Sequence, residues 1–378
     1  MNSKIWLSSP HMGGNELHYI HQAFDENWVA PLGPNVNGLE DDLAKALNKE
    51  VFVAALSAGT AALHLALIQS GVQPGDEVIC QTMTFSASAN PIAYCGAIPV
   101  FIDSEKETWN LCPIALEEAI QDRMAKGKKP KAIVAVHLYG MPYKVAEINA
   151  VAEKYGIPVI EDAAEGLGST YKGENCGTFG AFGILSFNGN KIITTSGGGA
   201  LVCKTKSAKD QAVFLSTQAR DEAPHYQHSQ IGYNYRMSNI AAGIGRGQME
   251  VLEDRVQQRR ANNFFYRQLF QDIAGVSVFV EPSDDFFSNH WLSCITIDSS
   301  LCSKTTEQLR LHLLEDQIES RPLWKPMHLQ PVFAASPYYG GTVAEDLFKT
   351  GLCLPSGSNL QEEELHRIAA AIRSFFNS

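Results

Sequence analysis

Between residues 51 and 240, short apolar runs alternate with amphipathic stretches, and this alternation is the dominant pattern of the chain. The apolar runs fall at 51–56, 77–81, 99–103, 132–136, 158–161, 184–187 and 200–203, each of strand length. Helical stretches at 60–70, 86–94, 113–124, 144–155 and 208–216 separate most of them. Continuously apolar strands alternating with helices predict an α/β fold, with a mostly parallel central sheet covered by helices on both faces. Functional residues in such sheets gather just past the carboxyl ends of the strands.

The flanks read differently. Leu17, Ile20, Ala23 and Phe24 form a helical stripe within 16–27, which Pro31 and Pro34 are expected to break before a second amphipathic helix at 38–47. Beyond Asn239 the spacing predicts one long helix over 241–270, with Arg255, Arg259 and Arg260 on a solvated face. Strands at 276–280 and 291–297 and helices at 305–316 and 361–376 then make a smaller α+β unit. The predicted division is an N-terminal arm and large domain over 1–250 and a small domain over 251–378, with a soft boundary at 245–260.

Composition narrows the function. A net charge of −11 argues against a dedicated nucleic-acid binder, although a local basic pocket for a phosphorylated small molecule stays open. The eight cysteines form no C-x-x-C and lie in apolar stretches, which predicts reduced thiols and a cytoplasmic location. The first residues lack the apolar core of a signal peptide, and no run reaches the length of a membrane span, so no membrane partner is expected.

Four features converge on strand ends. In S-F-N-G-N-K-I-I-T-T-S-G-G-G (186–199), Lys191 precedes a β-branched run, 192–195, that suits a strand. The glycines 197–199 permit a positive-φ backbone close to a ligand. The lysine is either an amine made nucleophilic by partial burial or an exposed side chain on a hairpin. Ser57-Ala58-Gly59-Thr60 opens a helix and is either a phosphate cradle or a plain N-cap. Asp162, in E-D-A-A-E (161–165), leaves a buried strand and needs a partner there: a magnesium ion, a ribose contact or a protonated ring nitrogen. No Walker lysine motif and no G-x-G-x-x-G supports the nucleotide readings. Phe85, in T-M-T-F (82–85), offers a ring to cover a planar cofactor. A cradle, a carboxylate, an aromatic plate and one lysine are the parts that hold pyridoxal phosphate. His225 and His228 have no evident third ligand, so no metal site is expected.

The chain resembles the DegT/DnrJ/EryC1/StrS family of sugar aminotransferases, within the fold-type I (aspartate aminotransferase-like) pyridoxal-phosphate enzymes. The blocks that carry this are S-A-G-T-A-A-L-H-L-A-L (57–67), H-L-Y-G (137–140), E-D-A-A-E, S-F-N-G-N-K, Y-N-Y-R-M-S-N (233–239) and R-P-L-W-K-P-M-H (321–328). The resemblance implies that Lys191 carries the cofactor and that Asp162 faces its ring nitrogen. It also implies that Ala58, Gly59, Thr60 and Ser186 hold the phosphate, that Phe85 stacks on the ring and that Glu165 lies beside cofactor and substrate. Asn234 matches a residue that relatives send to the partner subunit's phosphate, which implies a homodimer with shared sites. The last block is similar to bacillosamine-type enzymes and exopolysaccharide-cluster relatives. It implies that Arg321, Trp324, Lys325 and His328 meet a UDP-linked 4-keto-6-deoxy-N-acetylhexosamine, with L-glutamate as donor. A dTDP- or GDP-linked keto-sugar is the alternative, and a non-catalytic sensor on the same fold a more distant one. Sugar dehydratases of the family carry histidine at the position of Lys191, which argues against that chemistry.

Overall fold

The computed structural model describes residues 3–377. Its main sheet has eight strands, in the order Phe52–Leu56, Gly199–Cys203, Phe182–Ser186, Val159–Asp162, Ala132–Val136, Glu77–Gln81, Ile98–Ile102 and Tyr338–Tyr339. All neighbours run parallel except Gly199–Cys203, which is antiparallel to both strands beside it. The central strands Glu77–Gln81 and Ala132–Val136 are buried along their whole length. The second is apolar throughout, while the first has an apolar centre and buried polar ends, Glu77 taking the Arg123 Nε–H at 2.7 Å and Gln81 donating to the Met83 carbonyl at 2.8 Å.

The helix Gly59–Gln69 fixes where the site lies. Its residues Ala61 to Leu67 are all buried, so it is a core helix, with His64, beside the Tyr235 hydroxyl at 3.2 Å, the one polar residue in that run. It starts directly after the strand Phe52–Leu56, and its N-terminus therefore opens at the carboxyl ends of the parallel strands.

Several local expectations are corrected. Pro34 does not break a helix; it begins one, Pro34–Ala46, at the first-turn position where a missing N–H costs nothing. Residues 192–195 form no strand; they are an irregular buried segment whose isoleucines pack into the core while Thr195 N–H donates to the Phe187 carbonyl. None of Gly197, Gly198 and Gly199 has positive φ; that conformation falls on Ser196, at 70°. Gly199 is required for space instead, since a Cβ there would sit 2.3 Å from the Gly59 nitrogen.

The long helix is two, Asn239–Met249 and Leu252–Phe270, parted by a turn at residues 250 and 251. Its arginines are not on a solvated face either. Arg255 and Arg259 are buried, and Arg260 pairs with Glu281 at 2.6 Å.

A second, four-stranded antiparallel sheet has the order Val276–Val278, Ser293–Ile297, Gly351–Leu354 and Arg321–Pro322. The helices Leu252–Phe270, Thr306–Glu315 and Glu362–Asn377 share one apolar cluster with it. Ile5 joins this cluster through a bridge to Ile318, so the beginning of the chain packs with its end. The segment before Gly351 returns to the main sheet, where Tyr338–Tyr339 covers the edge of Ile98–Ile102. Among the described residues no helix is long and apolar enough to cross a membrane.

Candidate active site

A cavity of about 570 Å³ opens at the carboxyl ends of the main strands. That size suits a bound small molecule. Its floor is the start of the helix Gly59–Gln69. Ser57, Ala58, Gly59 and Thr60 line it, and the N-cap residue is Ala58, which has no side chain able to cap. The helix end is thus left to a ligand: free N–H groups and the positive end of the dipole face the cavity. Ser186 stands alongside, so close that a Cβ on Gly59 would come within 3.1 Å of the serine Cβ. These residues fit a phosphate.

Asp162 ends the strand Val159–Asp162 on the opposite wall and is buried. Its Oδ2 accepts from the Ser88 hydroxyl at 2.6 Å and its Oδ1 from the Ala164 N–H at 3.1 Å. Both oxygens keep spare lone pairs for a cationic partner in the cavity. Its neighbour Glu161 points the other way. There it accepts from His137 Nε2 at 2.6 Å and from the N–H groups of Gly177, Phe179 and Gly180. That carboxylate is fully occupied, and it ties the strand from behind.

The Lys191 side chain is 11% exposed, with Nζ 3.2 Å from Glu165 Oε1 and 4.1 Å from the centre of the Trp291 ring. The hairpin reading is therefore wrong: the amine faces the cavity between a carboxyl and an aromatic face. Glu165 is buried and takes the Tyr139 N–H at 2.7 Å on its other oxygen. Tyr139 itself holds a positive φ of 54°, which turns that N–H toward the glutamate.

Burial pushes the Glu165 carboxyl up to about 7, with Lys191 and the Tyr139 N–H opposing. In the cofactor-free protein the native state then holds a proton that the unfolded chain, at 4.5, has released. The resulting stability is present below the unfolded value and lost as pH rises through the folded one. Glu165→Gln, which cannot titrate, should abolish this slope. Between about pH 5 and about pH 7.5 the wild-type protein should lose about 2 kcal/mol relative to the variant. Parallel urea-denaturation curves for the two proteins across that range would refute it.

The aromatic plate is present but looser than a core phenylalanine. Phe85 is 56% exposed, lines the cavity and meets Trp324 at 5.4 Å between ring centres. Of the segment 321–328, only Arg321 and Trp324 face the cavity. Trp324 is placed by its own N–H, which donates to the Tyr139 hydroxyl at 3.0 Å, while Arg321 pairs with Glu319 at 2.7 Å. Lys325 is exposed elsewhere. His328 is turned away, bonded through Nδ1 to Thr82 Oγ1 at 2.7 Å and stacked on Tyr338. Neither of these two expected substrate residues lines the cavity of its own chain; in the 3-10 turn Met327–Leu329, His328 fastens the segment. Asn234 is exposed, bridged to Thr217, and does not line the cavity of its own chain.

Asn188 and Asn190, from the lysine-bearing S-F-N-G-N-K block, also line the cavity, as do Ser8, Trp291 and Cys353, which tertiary packing brings in from segments distant in the chain.

The family model for the DegT/DnrJ/EryC1/StrS aminotransferase family matches residues 10–373. EpsN of Bacillus subtilis (strain 168), described as a pyridoxal phosphate-dependent aminotransferase, is 51% identical over 382 residues, covering 100% of this chain and 97% of its own. GDP-perosamine synthase of Escherichia coli O157:H7 is 37% identical, with 99% of both chains covered. Among solved structures, a DegT DnrJ EryC1 StrS aminotransferase from Brucella abortus superposes with a TM-score of 0.88 at 30% identity over 96% of each chain. The cradle at Ala58–Thr60, the buried Asp162 and the cavity-facing Lys191 fit the cofactor of these enzymes. This chain belongs to the DegT/DnrJ/EryC1/StrS family and is a pyridoxal-phosphate-dependent sugar aminotransferase.

Proposed function

We propose that the enzyme moves an amino group from L-glutamate to C4 of a UDP-linked 4-keto-6-deoxy-N-acetylhexosamine, for a bacillosamine-type or related surface glycan. The observation that carries this is the cavity mouth built by Arg321 and Trp324 from the segment R-P-L-W-K-P-M-H, together with its resemblance to enzymes of that class. A tryptophan face suits a sugar or uracil ring, and a guanidinium suits diphosphate oxygens.

Pyridoxal phosphate, when bound, supplies the electron sink that stabilises negative charge at the donor's α-carbon. The chain's residues do the rest. The N–H groups of Ala58–Thr60 and the Ser186 hydroxyl anchor the phosphate. Asp162 keeps the ring nitrogen protonated by placing a buried negative charge beside it. Phe85 covers the ring. Lys191 would hold the cofactor, and its Nζ would be the base that moves the donor's α-proton. Glu165 Oε1, 3.2 Å away, accepts a hydrogen bond from that amine and steadies its charged form.

We further propose a homodimer in which Asn234 reaches the partner subunit's phosphate site. Its exposure outside its own cavity, on a stretch that also exposes Ile231 at 84%, supports this.

A GDP-linked keto-sugar is the second reading, favoured by the similarity to GDP-perosamine synthases. Purified enzyme offered glutamate with UDP-, GDP- and dTDP-linked 4-keto-6-deoxy sugars decides between them. The proposal expects the UDP sugar to have the highest kcat/KM, and Trp324→Ala to raise the sugar KM by about tenfold or more with the glutamate KM little changed. Preference for the GDP sugar would overturn the UDP assignment and leave the aminotransferase standing.

A further inference from the structure

The helix Leu252–Phe270 sends a guanidinium into the protein directly beneath the lysine-bearing loop. Arg259 is 1% exposed, and none of its recorded partners is a carboxylate. Its Nη1 donates to the Trp291 carbonyl at 2.5 Å, and its Nη2 to the Ser8 hydroxyl at 3.0 Å and the Lys191 carbonyl at 3.3 Å. Nε is buried without an acceptor. A buried cation satisfied only by neutral oxygens is a costly arrangement. Burial and the nearby Arg255 push it down to about 9.

The same loop has a second strut. The Trp291 indole N–H donates to the Asn190 carbonyl at 2.7 Å, and the Ser8 hydroxyl donates to that oxygen at 2.8 Å. The ring that makes this bond is the ring under Lys191 Nζ. One guanidinium thus fixes both the backbone of the lysine and the backbone of the tryptophan its amine rests on.

We propose that Arg259, with the Trp291 indole N–H, is a positioning clamp for the reaction: it fixes the backbone at Asn190 and Lys191 so that the amine stands between Glu165 and the Trp291 ring. A planar guanidinium spans carbonyls on two separate segments with donors on different nitrogens in fixed geometry; a lysine ammonium has three donors on one nitrogen and does not reproduce that span. Displacing a reacting group by about 1 Å can cost on the order of a hundredfold in rate.

Arg255 supplies the control. It lies one turn earlier on the same helix, is also buried, and donates to the carbonyls of His11 and Met12, which belong to the N-terminal arm and not to the lysine loop. If arginines of this helix only tie down the arm, Arg255→Lys and Arg259→Lys should behave alike.

The clamp rests on Lys191 being the cofactor's lysine, as proposed above, and Lys191→Ala tests that reading separately. Cofactor-free wild type, Arg259→Lys and Arg255→Lys are mixed with pyridoxal 5′-phosphate. The rate of covalent capture is read from the visible absorbance and from borohydride fixation on Lys191. Loaded proteins then receive glutamate in single turnovers. For Arg259→Lys, capture and the limiting glutamate rate should fall by about tenfold to a hundredfold, with half-saturating glutamate within about threefold of wild type. Arg255→Lys should keep both rates within about threefold, whatever its melting temperature. Equal behaviour of the two variants overturns the clamp. If Arg259→Lys does not fold by circular dichroism, Trp291→Phe decides, because it keeps an aromatic face beside Lys191 and removes the N–H. About a tenfold slower capture supports the clamp, and wild-type capture overturns it. Covalent fixation in Lys191→Ala would instead overturn the reading of Lys191.

Discussion

Lys191→Ala is expected to lose transamination by at least about a thousandfold while keeping the wild-type fold. In the proposed mechanism the amine holds the cofactor and moves the proton, and no other lysine lines the cavity among the described residues. Stability should change little. The side chain gives up one bond to Glu165 and its place over Trp291. Glu165, whose carboxyl burial already pushes up, then keeps its proton more firmly, so no buried charge is stranded. Circular dichroism and thermal melting check the fold, and a glutamate-dependent change in the cofactor's visible spectrum checks the chemistry. A spectrum that still responds to glutamate at the wild-type rate would remove Lys191 from the mechanism.

Asp162→Asn should carry the second-largest effect. An amide of the same shape still accepts from the Ser88 hydroxyl and packs in place, but it brings no charge to hold the ring nitrogen protonated. The glutamate half-reaction should slow on the order of a hundredfold or more, and the cofactor's dissociation constant should rise. Stopped-flow absorbance and equilibrium dialysis measure the two. Near-normal turnover would mean that the partner of the ring nitrogen lies elsewhere.

What the sequence could disclose, and what it could not, follows from how far each residue's role depends on its neighbours in the chain. Asp162 and the Ala58–Thr60 cradle sit at the ends of strands whose apolar runs are visible, and the parallel-sheet rule carries them to one edge. Arg259 is the opposite case. The stretch E-D-R-V-Q-Q-R-R is what a solvated helix looks like, yet Arg255 donates to carbonyls of residues 11 and 12 and Arg259 to those of residues 191 and 291, all outside this stretch. Local periodicity has no access to such partners. The β-branched run at 192–195 misled for a related reason. Its side chains are buried, as β-branched residues often are, but its backbone N–H groups go to the Gln248 side chain and the Phe187 carbonyl instead of a strand partner. His328 shows the limit of motif reading: a polar residue inside a substrate-like segment is consumed by Thr82 and Tyr338 in fastening that segment.

The central claim is that the whole site is built to present one lysine. Borohydride reduction of the cofactor-loaded protein, followed by proteolysis and mass spectrometry of the peptides, tests it most directly. The account predicts a single pyridoxyl modification, on Lys191. Modification of a different lysine, or none at stoichiometric cofactor, would contradict it.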